Sequence, residues 1–373
     1  MARALALAQS ALYTTSPNPR VGCVLVGEDG RTLGEGHTQK AGDAHAEVMA
    51  IRDATQQGHI AAGLVPKGTT AYVTLEPCAH KGRTGACSAA LIQIGVAKVV
   101  ASAIDPNPLV AGQGFAALGE AGIHVEIGDG AAQAYEINIG FMQRMTSGLP
   151  WVRMKTAASL DGITALPNGS SQWITGEAAR TDGHRWRARA CAVLTGIGTV
   201  LADDPILDVR HVATPRQPTL VLVDSKLDVP LGAKIFQANV FGKSRPLWIY
   251  TSADLASPTV SAKVKALALL GAEVISLANA AGKVDLVAML RDLGQRQINE
   301  LHIEAGFKLN GSFWREGLVD ELLLYQNAQL IGAGQGITDI GPFAQLADSV
   351  KLNFHAVDRI GGDLRILARK LTT

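Results

Sequence analysis

The sequence predicts an α/β protein of two domains, built on a mainly parallel sheet with helices on its faces. Three observations carry this. Short apolar runs of strand length alternate with segments of helical period along the whole chain. The length, 373 residues, is too great for one ordinary domain and right for two. The alternation also breaks once, at the turn-rich stretch Met145-Thr-Ser-Gly-Leu-Pro150, and then restarts. The expected domains are 1–146 and 147–373.

In the first half, a helix is expected over Arg3–Leu12 and a buried strand over the valine-rich Val21–Val26. His45–Ala54 has helical period. Ala71–Leu75 reads as a strand, Ser88–Ile94 as a helix, Lys98–Ala103 as a strand, Gly114–Ala121 as a helix and His124–Ile127 as a strand. In the second half, Trp151–Thr156 alternates with period two. A helix over Glu177–Ala190 and a strand at Ala192–Thr195 follow. Thr219–Asp224 and Leu247–Tyr250 read as buried strands, Val284–Arg296 as a helix, Glu300–Glu304 as a strand and Leu322–Leu330 as a long strand. No internal repeat or low-complexity tract is present.

Composition narrows the function. Hydrophobic content of 47% and charged content of 18% are those of a folded globular protein. A net charge of +1 offers no excess for nucleic acid or an anionic membrane. No stretch is long enough to span a bilayer. The start, MARALALAQSALYTT, is interrupted by Arg3, Gln9 and Ser10 and reads as an amphipathic helix rather than a signal peptide. A cytoplasmic protein is expected, and its four cysteines do not form a disulfide framework.

Those cysteines matter chemically. Cys78 and Cys87 lie nine positions apart, and Asp43-Ala-His45-Ala-Glu47 lies upstream. His45, Cys78 and Cys87 are three ligands suited to Zn²⁺, with a fourth position open for water whose pKa the metal lowers to about 7. Glu47, two positions after His45 at a helix start, is placed to shuttle protons without ligating the metal. His-x-Glu followed by Pro-Cys…Cys is a signature of zinc nucleobase deaminases. Either part alone is weak: His-x-Glu recurs by chance, and buried cysteines are more often packing thiols. Their combination in this order favours zinc. A closed structural site needs a fourth protein ligand; Cys23, inside a strand, reads as core, and His80 is the weaker alternative. Eight residues between the thiols, where Cys-x-x-Cys is usual, force a bulge carrying His80, Lys81 and Arg83: a solvated basic loop, or a wall gripping a small anionic substrate. Two prolines pin Ser16-Pro-Asn18-Pro-Arg20 just before a strand, which suits reading a heterocycle edge.

In these stretches the chain resembles the bifunctional riboflavin-biosynthesis deaminase/reductase family. The first half matches it in Pro17-Asn-Pro-Arg-Val-Gly-Cys-Val, Ala44-His-Ala-Glu-Val, Thr74-Leu-Glu-Pro-Cys-Ala-His-Lys-Gly-Arg-Thr-Gly-Ala-Cys and Asp105-Pro-Asn-Pro-Leu-Val-Ala-Gly-Gln-Gly. The resemblance implies a cytidine-deaminase-like α/β/α domain in which Asn18, His80, Arg83, Asp105 and Asn107 line the pyrimidine pocket. It implies zinc-hydroxide attack at C2 of a diaminopyrimidinone ribotide, with Glu47 protonating the leaving amine. The family usually carries histidine at the fifth position of Gly-x-Gly-x-His; Gly34-Glu-Gly36-His37-Thr38 has threonine there, with His37 as the candidate substitute. The resemblance also sets Met1 in the middle of the family's first helix.

The second half has no Gly-x-Gly-x-x-Gly after a strand, so a plain Rossmann fingerprint is absent. Three glycine clusters are expected after apolar strands: Thr195-Gly-Ile-Gly-Thr199, Glu304-Ala-Gly-Phe-Lys-Leu-Asn-Gly-Ser312 and Ile331-Gly-Ala-Gly-Gln-Gly336. Each alone is turn chemistry; together they point to a nucleotide cofactor, whose phosphates approach backbone amides. Lys155 in a strand, the paired acids Asp203-Asp204 and Arg210 read as surface charges or as a sugar-phosphate site.

This half also resembles the family, in its dihydrofolate-reductase-like α/β domain. The matches are Lys155-Thr-Ala-Ala-Ser-Leu-Asp-Gly-Ile-Thr-Ala165, Ser171-Gln-Trp-Ile-Thr175, Gly198-Thr-Val-Leu-Ala-Asp-Asp-Pro205, Glu304-Ala-Gly306 and Gly317-Leu-Val-Asp-Glu321. By position, the resemblance implies that NADPH meets Ala157, Trp173, Thr199, Asp203 and Ser225, and the turn Gly306, Phe307, Lys308, Leu309, Asn310, Gly311 and Ser312. The ribose phosphate meets Lys155, Ser171, Arg187, Leu207, Arg210 and Glu304. Hydride goes to C1′, and Asp203 is the candidate proton-handling partner. Gln326-Asn-Ala-Gln329 departs from the family's Ala-Pro and reads as structural. A bifunctional cytoplasmic enzyme acting on a phosphorylated pyrimidine is expected, as a dimer or tetramer. The competing readings are a nucleic-acid base deaminase, disfavoured by the neutral charge, and a non-catalytic zinc scaffold, disfavoured by Glu47.

Overall fold

The computed structural model describes residues 1–79, 85–108, 110–237, 239–240 and 243–371. The chain forms two compact units, Met1–Leu149 and Pro150–Thr373.

The first unit runs α1 (Ala2–Ser10), β1 (Gly22–Val26), β2 (Thr32–His37), α2 (Ala46–Gln56), β3 (Thr70–Val73), α3 (Cys87–Gln93), β4 (Lys98–Ala101), α4 (Gln113–Glu120), β5 (His124–Ile127), α5 (Ala131–Ile137) and α6 (Ile139–Ser147). Its sheet has the order β2-β1-β3-β4-β5. β1 is antiparallel to β2 and β3, whereas β3, β4 and β5 are parallel. This half is therefore mixed. β2 did not show in the sequence because its alternation is carried by glycines. A Cβ on Gly34 would meet Ala50 O at 2.3 Å, and one on Gly36 would meet Met49 Cβ at 2.4 Å. Those two absent side chains let α2 lie directly on the sheet. On the other face, a Cβ on Gly22 would meet Ala4 O of α1 at 1.9 Å.

The core between α2, α3 and the sheet gathers Leu25, Leu33, Ala50, Val73, Leu91 and Val99. α5 and α6 also escaped the periodicity reading, because buried Asn138 interrupts them. Its amide donates to Arg20 O (2.9 Å) and accepts from Arg20 N (2.7 Å), pinning the chain that enters β1.

The second unit runs β6 (Trp151–Ala158), α7 (Glu177–Arg189), β7 (Ala192–Gly196), α8 (Ile197–Asp203), β8 (Thr219–Val223), the short hairpin β9 (Asn239–Val240) and β10 (Lys243–Ser244), and β11 (Leu247–Thr251). It continues with α9 (Pro258–Leu269), β12 (Ala272–Ser276), α10 (Leu286–Gln295), β13 (Glu300–Ile303), α11 (Phe307–Arg315), β14 (Glu321–Gln326), β15 (Leu352–Ile360) and β16 (Asp363–Lys370). The main sheet has the order β12-β11-β8-β7-β13-β6-β14-β16-β15. It is parallel from β12 to β14, and β16 is antiparallel to both of its neighbours, β14 and β15.

The central strands are apolar on both faces, as a parallel sheet covered by helices requires: all five residues of β8, Thr219–Val223, are buried. α10 buries Leu286, Met289, Leu290 and Leu293 along one stripe, and Asp285 caps it by accepting from Ala288 N. The expected strand to Leu330 ends at Gln326. Its partner β6 stops at Ala158 opposite Gln326, so the ladder has nowhere to continue. Asn327 then donates to Asp363 Oδ1 and Gln329 to Ile174 O, consistent with a structural role for that tetrapeptide.

Candidate metal centre and reductase cleft

His45 is the N-cap of α2 and Cys87 opens α3, so two helix starts converge with the loop after β3 that carries Cys78. His45 Nδ1 lies 3.3 Å from Cys87 Sγ and 3.7 Å from Cys78 Sγ, and the three donor atoms lie within 4.8 Å of one another. A tetrahedral ion with bonds of about 2.0–2.3 Å sets its donors roughly 3.5 Å apart. The set therefore fits zinc, with a fourth position left open. The Cys87 thiol and His45 stabilise the Cys78 thiolate and hold it down to about 4, while Cys87 is pushed up. The Cys87 N–H also points at Cys78 Sγ (3.4 Å).

Glu47, in the first turn of α2, is 3% exposed, and burial and then the Cys78 charge push its carboxyl up. Cys23 lies wholly in the apolar core and does not join the cluster. His80 and Arg83, with Lys81, lie outside the described residues. Asn18 sits in the loop before β1, and Asp105 and Asn107 in the loop after β4, where Asn107 N donates to Asp105 Oδ1 (2.8 Å). His37 pairs with Gly22 across β1 and β2, so the pleat turns both toward α1, on the face opposite α2. Thr38 is buried, its hydroxyl receiving Val21 N at 3.2 Å. His37 therefore does not stand in for the family's pocket histidine.

Glu76, inside the Leu-Glu-Pro-Cys stretch, carries a structural role that the motif does not announce. Glu76 is buried directly before Pro77-Cys78, and its carboxylate accepts from the amides of Asp105, Gly112, Gly114 and Phe115. It ties the Cys78 loop to the start of α4. Glu76→Ala strands several buried donors and is expected to cost about 2–4 kcal/mol and to loosen zinc retention, checked by thermal unfolding and metal content.

In the second unit, a cleft of about 1220 Å³ opens at the C-terminal ends of β6, β13, β7 and β8. At one end, Glu304 sits just past β13. Arg187 clasps it with two nitrogens, Nη2 at 2.8 Å from Oε2, and Lys155 Nζ lies 3.5 Å away. Burial alone would raise the Glu304 carboxyl, but Arg187 and Lys155 outweigh it and hold the group well below the usual range. Arg210 stands beside them, held by Asp208 (2.5 Å). His184, driven down to about 3 by burial and by Arg187 and Arg210, is neutral. Trp173, 66% exposed, lies under the Arg180 guanidinium (4.8 Å). Neither Arg180 nor His184 stood out in the sequence, since both lie inside α7 with no local motif.

Ser171, Ala157, Thr199, Ser225 and Asp203 all line the cleft, Asp203 exposed at the end of α8. Leu207 contributes backbone, as its side chain belongs to the core. Gly306, Phe307, Lys308, Leu309, Asn310 and Ser312 line it too, whereas Gly311 turns away: a Cβ there would meet Asp339 O at 2.1 Å. Gly306 caps α11 with no side chain on its first amides, leaving them for an anion. Two of the three glycine clusters thus follow strands. The third does not: Ile331 and Gly332 donate to the Asp161 carboxylate, and Gln335 pairs with Ala165, so this loop closes over residues 161–165. Cleft volume, the exposed Trp173 ring and the uncapped amides of α11 fit a dinucleotide.

The fold and site together define a zinc deaminase joined to a reductase. The family model for the cytidine and deoxycytidylate deaminase zinc-binding region matches residues 1–103, and that for the RibD C-terminal domain matches residues 150–366. The riboflavin biosynthesis protein RibD of Escherichia coli is 42% identical over 98% of this chain and 96% of its own; that of Aquifex aeolicus is 37% identical over 99% and 97%. Among solved structures, Acinetobacter baumannii RibD superposes with a TM-score of 0.87 at 40% identity, covering 100% of this chain and 98% of that one. The Thermotoga maritima diaminohydroxyphosphoribosylaminopyrimidine deaminase/5-amino-6-(5-phosphoribosylamino)uracil reductase superposes at 0.83 with 29% identity, covering 99% and 97%. The chain belongs to the RibD family: it is a bifunctional deaminase and reductase of riboflavin biosynthesis, with zinc and NADPH as cofactors. Among the described residues, no helix is long and apolar enough to cross a membrane.

Proposed function

We propose that residues 1–146 deaminate 2,5-diamino-6-(5-phosphoribosylamino)pyrimidin-4-one and that residues 147–373 then reduce the ribosyl chain to ribityl, giving 5-amino-6-(5-phosphoribitylamino)uracil. The observation that carries this is the His45, Cys78 and Cys87 donor set with the buried Glu47 beside it.

His45, Cys78 and Cys87 would hold the zinc, which when bound would supply a hydroxide at neutral pH for attack at C2. Glu47 takes a proton from the attacking water and returns it to the leaving amine. Its carboxyl, buried in the first turn of the helix that His45 caps, is placed for both halves of that exchange. Asn18, Asp105 and Asn107 orient the heterocycle, and the family resemblance assigns His80 and Arg83 to the same pyrimidine pocket.

In the second unit the cleft would hold NADPH, which when bound would supply the hydride to C1′. Lys155, Arg187 and Arg210 hold the ribose phosphate, with Ser171 and the Leu207 backbone beside them. Glu304 fixes the directions of Arg187 and Lys155, and Asp203 handles the proton. The substrate is a small phosphorylated pyrimidine and not a nucleic acid, in keeping with the net charge of +1. The enzyme works in the cytoplasm as a homodimer or homotetramer.

The test is absorbance at 340 nm with purified protein, NADPH and the diaminopyrimidinone ribotide, with and without a zinc chelator. NADPH loss that requires zinc is expected. Loss that persists without zinc reverses the order of steps, and ammonia release without NADPH loss confines activity to the first domain.

A further inference from the structure

The strand order sets the direction of the cofactor. The cations for the ribose phosphate, Lys155 and Arg187, stand over β6 and β13. The uncapped amides of α11, a nine-residue helix following β13, suit the pyrophosphate. The nicotinamide must reach the substrate, so the adenosine half runs the other way, past β7 to β8. Two strand spacings from β13, about 10 Å, the cleft ends on Ser225-Lys226.

Three loops are tied together there. Ser225 Oγ accepts from Val284 N (3.2 Å), and Ser252 Oγ donates to Ser225 O (2.8 Å) or to Gly282 O (2.8 Å). The turn that carries Lys283 is itself braced by Asn279, whose side chain accepts from Ala281 N and Lys283 N, both at 3.0 Å. Lys226 and Lys283 both line this end of the cleft, and neither has an ion-pair partner among the described residues. Lys234, also at this end, is committed to Asp204 (3.5 Å).

The acid that follows β8 is buried and bonded within its own turn. In a site for NADH, such an acid accepts from the ribose 2′-hydroxyl. Asp224 is instead 0% exposed and accepts from Val229 N at 2.8 Å, within its own turn. Asp204 at this end is taken up by Lys234 and Asp228 is exposed, against two lysines that have no ion-pair partner among the described residues.

We propose that Lys226 and Lys283 form the seat of the adenosine 2′-phosphate and so set the preference for NADPH over NADH. Both are exposed and outside the core, so replacing them leaves the fold and the deaminase intact.

The experiment is titration calorimetry on the full chain with adenosine 2′,5′-bisphosphate and with adenosine 5′-monophosphate, for the wild type and the double variant K226M/K283M. The wild type is expected to bind the bisphosphate more tightly. The double variant is expected to lose about tenfold or more of that affinity while its affinity for the monophosphate is little changed. KM for NADPH rises by the same factor, and KM for NADH does not. An equal loss for both nucleotides, or none for the bisphosphate, overturns the assignment, as does a wild type that binds the two nucleotides alike.

Discussion

Glu47→Gln is expected to lower ammonia release by about 10²- to 10⁴-fold, the usual contribution of a positioned general acid–base, with zinc still bound. The argument is geometric. Glu47 lies two residues beyond the ligand His45, in the first turn of the same helix, and is not one of the three clustered donors. The amide keeps the shape and burial of the side chain but cannot carry a proton from water to the leaving amine. His45→Ala and Cys87→Ala, by contrast, remove ligands and are expected to abolish deamination together with zinc retention. The pair of results separates the two roles: a Glu47→Gln protein that has lost its metal would mean that the carboxylate is a ligand. NADPH oxidation by Glu47→Gln protein given already deaminated substrate is expected to proceed at the wild-type rate, because the second unit has its own cleft. Retention of full deamination by Glu47→Gln would return the first unit to the status of a zinc scaffold.

What was legible in the sequence is what chemistry compresses into a few positions. His45, Cys78 and Cys87 announce themselves because a metal needs particular donor atoms, Glu47 because it sits two positions from one of them, and the segments that supply them are short. The apolar strands β1, β6, β8 and β13 were legible for a similar reason: burial on both faces leaves little choice of residue. Where structure depends on distant packing, the sequence is silent or misleading. β2 carries glycines because α2 lies on them, which looks like a loop until the helix is in place. The third glycine cluster looks like its two fellows, yet its amides serve Asp161 across the chain. Lys283 gains its position from Ser225, fifty-eight residues earlier, as its neighbour Val284 bonds that hydroxyl. His302 is fully buried, with Nε2 3.3 Å from Glu304 Oε1 in an arrangement too poorly aligned to be a hydrogen bond; burial lowers its pKa and keeps it neutral. No local pattern marks it.

Arg187→Met is expected to cost about 3–5 kcal/mol and to stop ribosyl reduction. Glu304 is 11% exposed and Arg187 15% exposed at their side chains, so solvent does little for either ion. Arg187 occupies both carboxylate oxygens and also donates to Asp208 O (2.9 Å), leaving Lys155 at 3.5 Å as the other nearby cation. Removing the guanidinium leaves a buried carboxylate poorly compensated. The pH dependence follows from the sign of the shift. In the wild type Glu304 is held well below its unfolded value, so its contribution is present above about pH 4.3 and fades as pH falls through the folded value. In the variant, burial acts with Arg187 absent and raises the folded pKa, so acid relieves the strain by protonating the group. The gap in melting temperature between wild type and variant is therefore widest near neutrality and narrows as the solution is acidified. Arg187→Met combined with Glu304→Gln removes both charges and is expected to recover much of the lost stability without recovering activity. Equal melting temperatures for the single variant and the wild type at pH 7 would mean that Lys155 and solvent suffice for Glu304. Recovery of NADPH oxidation in the double variant would show that the pair supports the fold and not the grip on the phosphate.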